Sequence, residues 1–199
     1  MMYIMNSNFA LVKQVGDLSE SRINELMTRF NSRFPEIVRP NEQNIIFKRG
    51  VTGIGISPDQ IVYMTQDNAD RLNSEEIFDL LLEINDVLGL SRKARMVVNM
   101  EGTERFEGNI LEKSRGILGD ASDILQADAI GFRFVLTQEL FRGDILIEPY
   151  LKDNQSVYYG MAFETQQIDL SDDAKKVLGA IFTYGIEKSK EAARNIFSL

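Results

Sequence analysis

The chain has 199 residues, of which 44% are hydrophobic and 26% are charged, a composition typical of an ordered globular protein. It carries 22 Lys and Arg against 30 Asp and Glu, so its formal net charge is −8. A surplus of negative charge repels phosphate backbones and anionic lipid, and we therefore expect neither a nucleic-acid partner nor a membrane partner.

Histidine and cysteine are both absent from the sequence. Without histidine, catalytic triads of the Ser-His and Cys-His types are excluded, and the usual nitrogen ligand for zinc, copper and iron is missing. The chemistry that remains uses carboxylates, Lys, Tyr or Ser-Lys pairs, or a hard-cation site built from oxygen ligands. Without cysteine no disulfide can form, which agrees with a reducing compartment, and we expect a cytoplasmic location.

The longest uninterrupted apolar run, residues 1–5, is far shorter than a membrane span. No basic residue precedes this run, and Lys13 is the first in the chain, so the run does not predict a signal peptide.

The first part of the chain predicts a strand and an amphipathic helix. Residues 9–15 have the apolar content of a short strand. The sequence at 17–20 offers helix-capping chemistry, and apolar residues at helical spacing follow as far as Phe34. Pro35 ends this helix, and we expect a loop as far as Gln43.

A meander and a second helix follow. Alternating apolar residues over 44–66 predict three short strands in succession. Asn73 and Glu76 form a second capping pattern, and apolar residues then recur at helical spacing as far as Leu88. Gly89 ends this helix as a C-terminal cap.

The same order of elements begins again after residue 93. Residues 94–101 predict a strand, and 106–118 predict a weaker helix that is interrupted by two glycines. We expect a loop over 119–128, in which Ile124 and Leu125 point inward.

The clearest strand signal lies over 129–165. Three strands are predicted there, at 129–137, 144–151 and 156–165, and their short connections require antiparallel neighbours. Ser171 and the acidic residues after it begin the longest helix. The predicted buried side of this helix consists of Ala174, Val177, Leu178, Ile181, Phe182, Gly185, Ser189, Ala192 and Ile196.

These elements predict an α+β fold. The ranges 9–88 and 94–197 both have the order strand, helix, three strands, helix, which suggests two pseudo-equivalent β-α-β-β-β-α halves, with chance as the alternative to duplication. We expect a single domain over 1–199, in which a largely antiparallel sheet is covered by helices on one face. By fold analogy, a long C-terminal helix across such a sheet resembles helix-grip ligand-binding folds, and the two halves resemble the saddle of TATA-binding-protein-like domains.

Three local patterns are interpreted as structural. The glycine-rich stretch 50–55 does not fit a phosphate loop, and 55–59 lacks both the second glycine and the histidine that a nucleophile elbow requires. The acidic clusters lack the spacing of a calcium loop, so we expect no metal and no cofactor. These clusters are Asp67 with Asp70, Asp120 with Asp123 and Asp128, and Asp169 with Asp172 and Asp173.

Polar residues on the last meander form the candidate ligand-binding site. Strand parity places on one side Arg133, Asp144, Glu148, Tyr150, Tyr158 and Glu164. We expect a register in which Arg133 lies opposite Glu148. An Arg flanked by carboxylates and Tyr is typical of a ligand site. It is also suited to acid-base chemistry if burial shifts the pKa of a neighbouring Glu. The favoured alternative is a row of cross-strand ion pairs that faces water or a partner.

Three functions remain open. The first is a non-enzymatic cytoplasmic binding or assembly module that meets a protein partner or another copy of itself through a sheet face or edge. The second is a small-molecule-binding domain with a cavity between the last helix and the sheet. Its expected lining is Tyr158, Met161, Phe163 and Phe182. The third is a carboxylate-based enzyme acting through Glu148 or Glu164. The absence of histidine, cysteine and a catalytic constellation favours the first.

Overall fold

Nine strands and four helices are formed by the residues that the computed structural model describes, 2–67, 71–120 and 126–199. The strands are β1 (Tyr3–Val12), β2 (Glu36–Asn41), β3 (Asn44–Arg49), β4 (Thr52–Ser57), β5 (Gln60–Thr65), β6 (Lys93–Arg105), β7 (Phe132–Thr137), β8 (Phe141–Pro149) and β9 (Ser156–Asp169). The helices are α1 (Glu20–Phe30), α2 (Ser74–Val87), α3 (Ile110–Leu118) and α4 (Asp172–Phe197). The predicted α+β class is confirmed.

All nine strands join in one antiparallel sheet with the order β2-β3-β4-β5-β1-β6-β9-β8-β7. The central neighbours β1 and β6 are the first strands of the two halves, and Phe9 lies opposite Val98 between them. Each is flanked on its other side by the meander of its own half. The two halves therefore have the same topology about the β1–β6 pair, except that the first half has one more strand.

That additional strand corrects the prediction of a loop over 35–43. Residues Glu36–Asn41 form β2, which pairs only with β3 and lies at the edge of the sheet. Pro40 lies within this strand, and an edge strand accommodates a proline because one of its sides needs no N–H donor. The pairing is irregular between Val38 and Asn41, next to this proline.

Other elements differ from prediction in their bounds. β1 begins at Tyr3 rather than at residue 9, and β6 continues to Arg105 rather than ending at residue 101. Tyr3 and Ile4 extend β1 by pairing with Thr103 and Gly102, and the same part of β6 also pairs with β9 on its other side. Ile124 and Leu125, which were expected to point inward, lie outside the described residues.

The core lies between one face of the sheet and the helices. On β6, the alternating residues Met96, Val98 and Met100 are buried on this face. On α4, five residues are buried as predicted, namely Ala174, Leu178, Ile181, Gly185 and Ser189. The other predicted residues, Val177, Phe182, Ala192 and Ile196, are only half-buried, and the buried stripe ends instead at Ala193 and Phe197. From Gly185 onward the buried residues recur every four residues, so the buried stripe moves round the helix relative to the predicted 3.6-residue period.

Candidate binding surface

The face of the sheet opposite the helices carries no helix in the described part of the chain, and we call it the open face. Strand alternation defines it clearly on β6, where Arg95, Asn99 and Glu101 are exposed between buried neighbours. Because residues directly opposite each other in an antiparallel pair share a face, the strand registers assign the other strands' side chains to the same surface.

The half of the open face over β2 to β5, which we call the aliphatic half, has aliphatic side chains at its centre and polar ones, such as Lys48 and Gln60, towards its ends. Val38 lies opposite Ile46, Ile46 lies opposite Gly55, and Gly55 lies opposite Val62. A Cβ on Gly55 would lie 3.1 Å from the Val62 side chain and 3.4 Å from that of Met64. The glycine therefore gives these two side chains room to lie across β4.

The other half, over β6 to β9, is charged and contains most of the predicted site. Five of the six candidate residues lie on the open face, namely Arg133, Asp144, Glu148, Tyr158 and Glu164. Tyr150 follows the end of β8, and its backbone N–H donates a hydrogen bond to the carbonyl of Ser156 at 2.8 Å.

The predicted register between β7 and β8 is wrong by two residues. Arg133 lies opposite Leu146 instead of Glu148, and its guanidinium donates to Asp144 at 2.7 Å. The connection is a tight turn at Glu139 and Leu140, closed by a hydrogen bond from the Gln138 N–H to the Phe141 carbonyl. A shift of two residues preserves strand parity, so the residues share the predicted face although their partners differ.

Glu164 on β9 lies between arginines of both neighbouring strands. Its carboxylate accepts from Arg95 at 2.5 Å and from the Nε and guanidinium NH₂ of Arg142 at 3.0 and 2.8 Å. The hydrogen bond from Arg142, with the charges of both guanidinium groups, lowers the pKa of Glu164. A carboxylate with a lowered pKa is a weak general base, so Glu164 lacks the property that the enzyme hypothesis required of it.

Tyr158 lies between two carboxylates on the same face. It stands opposite Glu148 of β8, and its hydroxyl is hydrogen-bonded to Glu101 of β6. Partial burial, followed by the charge of Glu101, raises the pKa of Tyr158 to about 12. The phenol is therefore a protonated donor at neutral pH.

Two depressions flank the pair formed by Arg142 and Glu164. One, of about 540 Å³, extends over Asn99, Arg133 and Asp144, and the other, of about 320 Å³, extends over Arg95 and Gln138. Each has room for side chains of a partner.

Sequence reasoning missed Arg95, Glu101 and Arg142. Arg142 was placed in the connection between two strands, whereas it lies in β8. The alternation over 94–101 already separated Arg95 and Glu101 from the buried methionines, but no local signal shows that β6 lies beside β9.

The residues expected to line a cavity beneath the last helix do not face one space. Tyr158 lies on the open face, whereas Met161 and Phe163 are buried on the opposite face. A Cβ on Gly185 of α4 would lie 3.0 Å from Phe163 and 3.3 Å from Met161, so the helix packs directly on β9 there. The ring of Phe182 packs instead against Phe9, at 5.9 Å between centroids.

A separate cleft of about 750 Å³ lies between α2 and the hairpin of β3 and β4. Its lining carries charges of both signs and includes Arg49, Tyr63, Asp67, Arg71 and Glu76. Burial is the main cause of a raised pKa at Tyr63, whose hydroxyl also has hydrogen bonds to Thr52 and Thr65.

Within residues 2–67, 71–120 and 126–199, no group of three or more acidic side chains is arranged to hold a metal ion. Asp70 and Asp123, from two of the acidic clusters, lie outside these ranges. No helix in the described ranges has the length and apolar character needed to cross a membrane.

The open face and the cleft have to be interpreted from their geometry, because no protein-family model and no curated protein matches this sequence.

Proposed function

We propose that this protein is a cytoplasmic, non-enzymatic binding or assembly module that meets a protein partner or another copy of itself through the open face and the exposed edge of its sheet. The observation that carries the proposal is the open face itself, a sheet surface without a helix in the described part of the chain, with half-exposed aliphatic residues beside arginine–carboxylate pairs.

The aliphatic half supplies the driving force for association. Val38 is 42% exposed, and Ile46, Val62 and Met64 are half-buried, so contact with a partner would remove their remaining surface from water. Such burial contributes roughly 25 cal/mol per Å² of apolar surface before the entropic cost of association is subtracted.

The charged half favours a protein over a nucleic acid as partner. Arg95 and Arg142 are paired with Glu164, and Arg133 is paired with Asp144. Positive charge that is already neutralised does not provide the uncompensated basic surface that phosphate binding requires. Arginine–carboxylate pairs of this kind form the polar rim of many protein interfaces.

Val62→Glu tests the proposal by placing a charge in the aliphatic half. A matched control is Ile117→Glu, because Ile117 is 45% exposed on α3 and lies on the helical side of the sheet. We expect crosslinking at native expression to recover a partner, in fixed stoichiometry, with both the wild type and Ile117→Glu but not with Val62→Glu. Thermal melting must show that both variants are folded. A partner retained by Val62→Glu, and by a second variant on the charged half such as Arg142→Glu, would contradict the proposal.

The cleft beside α2 supports small-molecule binding as a second candidate function. Its volume is that of a ligand site, and it combines the half-buried Tyr63 with arginines that include Arg49 and Arg71 and with four carboxylates. Native mass spectrometry of the freshly purified protein should then show a bound adduct that is lost in Arg49→Ala. An unliganded mass for the wild type would argue against this candidate.

A further inference from the structure

β7 is the outermost strand at one end of the sheet, and its outer edge has no partner strand in the described part of the chain. In an antiparallel hairpin, every second residue has its backbone N–H and C=O groups hydrogen-bonded to the partner strand. Because the Gln138 N–H bonds to the Phe141 carbonyl, the β7 residues that are hydrogen-bonded to β8 are Leu136, Phe134 and Phe132. The backbone N–H and C=O groups of the intervening Arg133, Val135 and Thr137 point away from the sheet. These groups form an open hydrogen-bonding edge.

The two edges of the sheet differ in how well they are protected. β2 contains Pro40, charged residues at Glu36 and Arg39, and a break in its pairing register, all of which discourage the addition of a further strand. β7 pairs regularly with β8 over its whole length and contains no proline. Its outward-facing residue Val135 is 78% exposed, the highest exposure of any large hydrophobic residue in the described ranges.

We propose that β7 pairs antiparallel with β7 of a second copy of this chain, about a two-fold axis that passes beside Val135. The inference rests on the proposed function and names the partner that uses the strand edge. Because the axis is perpendicular to the sheet, the two sheets become one continuous sheet with both open faces on the same side.

The sequence of β7 is self-complementary in this register. Val135 lies opposite Val135 of the other copy, and Arg133 lies opposite Thr137, so all the outward backbone groups are paired and no like charges meet. A register centred on Arg133 would place two guanidinium groups against each other. The proposed register also brings Leu140, which is 55% exposed, level with Ile130 of the other copy.

The contrast between the edges limits the assembly to two copies. An open edge on only one side of the sheet gives a closed dimer, whereas two open edges would give a filament. A pair of six-residue strands forms a smaller interface than most stable complexes, so we expect a dissociation constant on the order of micromolar.

Sedimentation equilibrium over a range of concentrations tests the dimer. The wild type should change from monomer to dimer mass as its concentration rises, and Val135→Lys should raise the dissociation constant at least tenfold. Val51→Lys is the matched control, because it makes the same change at an exposed turn, and it should dimerise like the wild type. A monomer at all concentrations, or a dimer that tolerates Val135→Lys, would overturn the inference.

The absence of cysteine allows a direct test of the register. Residues that face themselves across a two-fold axis lie within the Cα separation of a disulfide, so Val135→Cys should form a crosslinked dimer under mild oxidation. Val51→Cys and Arg133→Cys should crosslink much more slowly. Equal rates for the three variants would exclude this pairing. If the chain stays monomeric but its partner is still lost in Val62→Glu, this inference fails while the proposed function stands.

Discussion

Glu164 shows how one side chain connects three strands on the open face. It lies on β9, and its arginine partners Arg95 and Arg142 come from β6 and β8, on either side. Both arginines are partly exposed, so water screens the pairs and limits their contribution to stability.

We predict that Glu164→Gln lowers the free energy of unfolding at pH 7 by at most about 1 kcal/mol. Because the folded protein lowers the pKa of this carboxyl, its contribution is fully present above the unfolded-state pKa, about 4.3, and is lost as the pH falls through the folded-state value. Urea denaturation at several pH values should therefore show the difference from wild type shrinking below about pH 4. Glu139→Gln, at an exposed hairpin position without an ion pair among the described residues, is the control. A difference that grew in acid would contradict the assignment.

Tyr158 provides a second test at the residue scale. Its pKa is raised to about 12 by partial burial and by Glu101, so its phenol should ionise well above the ordinary value of about 10. The stability that this shift represents is present below pH 10 and is lost as the pH rises towards 12. The difference between the tyrosinate absorbance titrations of the wild type and Tyr158→Phe measures the step directly. A step near pH 10 would show that neither burial nor the carboxylates raise the pKa of this hydroxyl.

At the scale of elements, two helices of the same fold begin differently. Before α2, the side-chain oxygen of Asn73 accepts from the backbone N–H groups of Glu75 and Glu76, and its amide donates to the Glu76 carboxylate at 2.9 Å. Before α4, the Ser171 side chain makes no capping hydrogen bond. Both residues are typical N-caps in sequence, but only one acts as such in the structure.

Asn73→Ala should therefore destabilise the protein by about 1 kcal/mol, because it leaves N–H groups at the start of α2 without their acceptor. Ser171→Ala should change the stability by only a few tenths of a kcal/mol. Chemical denaturation under identical conditions measures the free energy of unfolding of each variant relative to the wild type. Equal losses would mean that Ser171 caps α4 in solution.

The elements that sequence patterns predicted well are those with local partners. The meanders over 44–66 and 129–165 pair strands adjacent in sequence, and their two-residue alternation was sufficient to locate them. Their registers depend on turn length, which is why Arg133 was assigned the wrong partner. The charged site was predicted only in part, because Arg95 reaches Glu164 through the pairing of β6 with β9, which joins distant parts of the chain.

At the scale of the whole molecule, β1 and β6 join the two halves, and α2 packs against α4 across them. A single domain over 1–199 stays a prediction, and cooperative unfolding tests it. The sequence contains no tryptophan, so Tyr63→Trp and Phe141→Trp each introduce one fluorescent probe, at a half-buried position of the first and second half. We expect the two variants to give transitions with coincident fluorescence and circular dichroism signals. Two separated transitions in either variant would show that the halves unfold independently.

The central position of β1 affects how the chain folds on the ribosome. β1 is synthesised before β6, so one of its hydrogen-bonding edges stays open until Lys93–Arg105 has emerged. The ring of Phe9 is covered later still, because it packs against Phe182 of α4. A nascent chain that stops between these points exposes an unpaired strand and an uncovered ring, both of which promote misassociation. Chaperone contact during translation should therefore persist until the last helix is released.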